Sequence, residues 1–112
     1  MGKTIGDVRP IRSPKEMWDV LEKVKKQYKV DTIVATKQST SEETMRFLLP
    51  IMEEQFKAVG QKGGAATLLA PNQERVTLCI IQERDIYNEE LCWNFLFKIL
   101  QYGLDQIFFL SK

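Results

Sequence analysis

The chain reads as a single α/β (or α+β) domain of 112 residues, a mixed β-sheet covered by three helices in the order (β)-α-β-α-β-β-α-β. Three observations predict it. Helix-start signatures at Ser13, Ser39–Ser41 and Asn88 each precede an apolar pattern at helical spacing. The intervening runs around Ile33, Val76–Ile81 and Ile107–Leu110 are apolar on successive residues, so those strands need cover on both faces. Helices alternating with such strands supply that cover.

The elements follow in order. Residues Thr4 to Ile11 suit a short edge strand, weakened by Gly6 and Pro10, so that 1–12 is either strand or flexible arm. Ser13-Pro14-Lys15-Glu16 is a capping box with proline at the first helical position. Met17, Leu21, Val24 and Tyr28 then form a stripe, widened by Trp18, and Lys23, Lys25, Lys26 and Lys29 load the helix end with cations that its dipole favours. Val30 to Lys37 is a strand. In the next helix Ser39/Glu42 and Thr40/Glu43 both fit capping spacing. Its stripe is Met45, Leu48, Leu49, Met52, Phe56 and Val59, and Gly60 stops it. Pro50 cannot donate to the Arg46 carbonyl and is expected to kink it.

Ala65–Ala70 and Arg75–Glu83, joined by Pro71-Asn72-Gln73-Glu74, form a hairpin. Val76, Leu78 and Ile80 face one way, and Thr77, Cys79 and Ile81 the other. Asn88 caps the last helix and Gly103 ends it, and Asp105–Leu110 is the final strand.

That last helix carries the main functional signal. Eight of the ten residues from Leu91 to Leu100 are apolar. Asn94 and Lys98, with Glu90 and Gln101, make a polar stripe about 80° wide at about 100° per residue. A helix resting on one core usually has the opposite balance. It therefore needs a second cover, either another helix or another chain, and Trp93, Phe97 and Leu100 are the expected interface residues.

Composition narrows the chemistry. Net charge is +1, with 44% hydrophobic and 28% charged residues, which excludes a general electrostatic grip on nucleic acid but leaves room for a local patch. Histidine is absent, removing the commonest general base and metal ligand. No catalytic residues, metal site or cofactor are expected. Cys79 and Cys92 read as small core residues of a reducing, cytoplasmic protein. No apolar run is long enough to span a membrane. The segment MGKTIGDVR lacks both a signal-peptide core and a myristoylation pattern.

Weaker candidates remain. Lys37-Gln38-Ser39-Thr40-Ser41 joins a strand to a helix start, where an anion is favoured, although Glu42 and Glu43 oppose it. The basic run containing Lys25, Lys26 and Lys29, with Tyr28 for stacking and Lys37 and Lys62 as extensions, suits nucleic acid or a solvated helix end. Gly60-Gln61-Lys62-Gly63-Gly64 lacks phosphate-loop spacing and reads as a turn. Asp31, Glu83, Asp85 and Asp105 form a carboxylate set with no spacing that shows convergence. The leading expectation is a non-catalytic association domain, a homodimer or part of a complex. The alternative is a nucleic-acid or nucleotide-phosphate binder.

Overall fold

A computed structural model describes residues 3–8 and 13–111. It contains β1 (Lys3–Val8), α1 (Pro14–Gln27), β2 (Thr32–Thr36), α2 (Glu42–Ala58), β3 (Gly64–Leu69), β4 (Arg75–Gln82), a 3-10 segment (Glu83–Tyr87), α3 (Glu89–Gln101) and β5 (Gln106–Ser111). The five strands form one sheet in the order β1-β5-β2-β4-β3. All four pairings are antiparallel, so the α+β form of the expectation is the one realised. The doubly apolar strands signalled two covered faces, which an antiparallel sheet also provides when helices lie on both sides.

The alternation of side chains divides the interior into two cores. On one face Ile33, Ala35, Cys79, Ile81, Ile107 and Phe109 pack with Met17 and Leu21 of α1 and with Cys92, Phe95, Leu96 and Ile99 of α3. On the other, Val34, Val76, Leu78, Ile80, Phe108 and Leu110 pack with Met45, Leu48, Leu49, Met52 and Phe56 of α2. The helix count per face is therefore two and one. Each fully buried aliphatic side chain contributes roughly 2 kcal/mol, so the central strands β2 and β5, buried along most of their length, anchor the fold.

Local chemistry sets the boundaries. The Ser13 hydroxyl accepts from the Glu16 N–H at 3.2 Å, and the Asn88 side chain accepts from the Leu91 N–H at 3.1 Å. The second helix begins later than either Ser39 or Thr40 would have it. The Thr40 N–H donates to the Lys37 carbonyl at 2.8 Å and closes a turn. Ser41 is then the cap, accepting from the Thr44 N–H at 3.1 Å. α2 continues through Pro50, which lies on the exposed side, where water can satisfy the carbonyl that the proline leaves unbonded. The hairpin turn relies on Gln73 with φ 70°, and Gly103 with φ 65° closes α3. The edge strand ends at Val8 with a register shift between Thr4 and Gly6; Pro10 and Ile11 lie outside the described residues.

Candidate functional sites

On α3 the second cover is partly another helix. Trp93 is half-buried because its indole stacks on that of Trp18 from α1, with ring centroids 4.5 Å apart and planes within 4°. Phe97 lies 6.1 Å from Trp93 at a tilted angle and extends the aromatic ridge outward. Phe97 is 59% exposed and Leu100 47% exposed. Trp93 belongs to the α1–α3 seam, and Phe97 and Leu100 form the solvent-facing part of the predicted surface. The polar stripe of Glu90, Asn94, Lys98 and Gln101 is exposed beside it.

The basic cluster is divided by the fold. Lys25 turns inward, with a side chain only 8% exposed. Its ammonium donates to the Ile86 carbonyl at 3.0 Å and pairs with Glu22 at 2.7 Å. It also lies 5.6 Å from the Trp18 ring centre and 5.9 Å from that of Tyr87. Lys25 is thus a tie between α1 and the segment before α3, and its expected role as a surface phosphate contact is corrected. Lysine carries enough apolar stem to span such a seam. Lys26 and Lys29 remain exposed, and Tyr28, expected in the buried stripe, is 51% exposed because the chain leaves the helix there in an extended conformation.

Lys37 does not extend that cluster. Lys29 precedes β2 and Lys37 follows it. A strand of this length holds its ends about 17 Å apart, so the two lysines lie at opposite ends of the sheet. In the Lys37–Ser41 turn, Lys37, Ser39 and Ser41 are exposed and Thr40 is buried. The Asp105 carboxylate accepts from the Gln38 N–H, and Glu42 and Glu43 occupy the first turn of α2. The rule placing ligands beyond strand carboxyl ends belongs to parallel sheets, and this sheet is antiparallel.

The same antiparallel pairing separates two of the carboxylates. Thr32 pairs with Leu110 and Thr36 with Gln106, so Asp31 and Asp105 lie at opposite ends. Asp31 instead meets Glu83, whose N–H donates to the Asp31 carbonyl at 2.8 Å. Among the described residues no group of three or more His, Cys, Asp or Glu side chains is placed to hold a metal ion. Within the sheet, the Thr36 hydroxyl and the Gln106 Oε1 are buried without a hydrogen-bond partner among the described residues. At the β1 edge, the Thr4 hydroxyl donates to Glu42, and Arg46 lies beside them both. That hydrogen bond, with the Arg46 guanidinium, holds the Glu42 carboxyl below the usual carboxylate range.

Asp31 and Glu83 lie in a cleft of about 1040 Å³ at the end of the sheet where β2 begins and β4 ends. Tyr28, Lys29, Lys3, Arg84 and Tyr87 also line it. Only Tyr28 and Lys29 were legible as a binding pair in the sequence, because they are adjacent. The others arrive from β1 and from the 3-10 segment, at sequence distances no local pattern reveals.

Cys79 and Cys92 are free and buried, one beneath α3 in β4 and the other within α3. Burial pushes the Cys79 thiol up to about 11, against the opposing effect of Lys98. Burial also raises Cys92, opposed by Lys25. Neither is a nucleophile poised for reaction.

The fold and its surfaces define a small antiparallel α+β domain with an apolar crest on α3 and an aromatic, charged cleft at one end of the sheet. Compared with known proteins, the chain matches no protein-family model, no curated protein and no solved structure. No helix among the described residues is long and apolar enough to cross a membrane.

Proposed function

We propose that this protein is a small, non-catalytic association module that pairs with a second copy of itself through α3. The observation that carries the reading is the exposure of Phe97 and Leu100 beside the Trp18–Trp93 stack. Large aromatic side chains at a surface are favoured anchors of interfaces, and Leu100 extends the apolar patch around Phe97. The partner is a second copy because the helix is self-complementary in charge. Glu89 and Glu90 stand at its N-terminal end and Lys98 at its C-terminal end. Antiparallel packing of two α3 helices about a two-fold axis brings Glu90 of one chain towards Lys98 of the other. The two free, buried thiols fit a reducing compartment such as the cytoplasm.

The test is solution mass by light scattering over a dilution series. The expected result is a dimer that Phe97→Glu converts to a folded monomer. Glu90→Lys or Lys98→Glu alone weakens the dimer, and the two together restore it. A wild-type chain that stays monomeric at the highest concentration reached overturns the reading, as does a dimer indifferent to Phe97→Glu.

A further inference from the structure

The cleft at the end of the sheet is chemically distinct from the α3 surface and does not depend on it. Its walls are the start of β1, the loop between α1 and β2, the 3-10 segment and the end of β5, and Val30 and Ile5 give it an apolar floor. Two tyrosines stand on its rim, Tyr28 at 51% and Tyr87 at 56% exposure. The Tyr87 hydroxyl is fixed by donating to the Val30 carbonyl at 3.1 Å, and the Lys25 ammonium lies 5.9 Å from its ring centre. That ring is therefore held in place despite its exposure. Lys3, Lys29 and Arg84 supply three cations from three separate segments. Asp31 and Glu83 supply two carboxylates, and Glu83 also pairs with Lys62 at 3.5 Å, a residue that does not line the cleft.

A second observation falls on the same wall. Glu83 has φ 55°, a left-handed conformation that costs a residue with a side chain on the order of 1 kcal/mol. It turns the chain sharply out of β4, and the turn delivers Arg84 and Tyr87 to the cleft. Such strain in a non-glycine residue concentrates at binding sites. Here it falls where the aromatic rings and cations converge.

We infer that this cleft binds a nucleotide unit, a planar base joined to a phosphate, either as a free nucleotide or within single-stranded nucleic acid. Aromatic rims and an apolar floor suit the base, whose faces stack on tyrosine regardless of sequence. Lys3, Lys29 and Arg84 suit the phosphate, with arginine able to contact two oxygens at once. Asp31 and Glu83 accept hydrogen bonds from sugar hydroxyls or base N–H groups and discriminate against ligands that are anionic throughout. The volume, about 1040 Å³, lies at the upper limit for small-ligand sites and leaves room for a base, a sugar and a phosphate together.

The experiment is an NMR titration of the full chain with four probes: adenosine monophosphate, adenosine, inorganic phosphate and a short oligoadenylate. The expected result is saturable shifts of Tyr28, Tyr87 and Arg84 with the monophosphate, and weaker shifts with adenosine or phosphate alone. Tighter binding of the oligoadenylate identifies a single-strand binder, and equal or weaker binding identifies a free-nucleotide site. Tyr28→Ala and Lys29→Glu, both at exposed positions, should each weaken binding by about tenfold, whereas Lys37→Glu at the other end of the sheet should not. Absence of shifts with both nucleotide probes overturns the inference. So does binding that survives Tyr28→Ala and Lys29→Glu unchanged.

Discussion

Trp18 and Trp93 lie parallel at 4.5 Å between ring centroids, joining the first helix of the chain to the last. The contact accounts for the surplus of apolar residues on α3 on one flank only. Beyond it, Phe97 and Leu100 still face solvent. The pair thus separates the part of that helix that serves the fold from the part available to a partner.

Replacing either tryptophan by alanine should destabilise the protein by about 2 kcal/mol, less than for a fully buried ring because both are half-exposed. The double variant should cost less than the sum, by roughly 1 kcal/mol, the coupling of an aromatic pair. Urea unfolding of the four chains measures this. Additive costs would show that the rings act independently.

Phe97→Glu should cost the monomer no more than about 1 kcal/mol, the tilted contact with Trp93 that it loses, since the side chain is otherwise exposed. Thermal unfolding at low protein concentration checks it. A large loss of stability would assign Phe97 to the fold and remove it from the interface.

Lys25→Ala should destabilise by about 2 kcal/mol, because it strips the Ile86 carbonyl of a charged donor and removes a stem packed in the seam. Lys26→Ala, at an exposed position on the same helix, should be nearly neutral. Equal effects in urea unfolding would contradict the inward placement of Lys25.

Stability should fall as pH rises from about 9 towards about 11. The folded state holds the Cys79 proton up to about 11, and the unfolded chain releases it near 9.0, so the unfolded state binds fewer protons across that window and alkali favours it. Cys92 acts in the same direction. Cys79→Ala and Cys92→Ala should each flatten the profile. At about pH 8 both thiols should resist a disulfide reagent until the protein unfolds.

The legibility of the fold followed the range of the forces involved. Ser13 and Asn88 announce their helices because a cap is a bond to a backbone group three residues away. The two-sided burial of Val76–Ile81 was readable because alternation in a strand is local geometry. α2 starts one or two residues later than its capping spacing implies, since three adjacent hydroxyls offer equal caps and the Lys37–Thr40 turn chooses Ser41 among them.

For the candidate sites, the sequence by itself pointed to more apolar surface on α3 than one core can cover, with Trp93, Phe97 and Leu100 in the surplus. Helical period alone assigns residues to faces. Only the tertiary structure decided that Trp18 covers one flank, that Lys25 points inward, and that Lys29 and Lys37 lie at opposite ends of β2. It also brought Lys3, Tyr28, Arg84 and Tyr87 around one cleft. Those placements follow from strand order and direction. Strand order and direction are set by the free energy of burying both sheet faces at once, and no local stretch of chain carries that information.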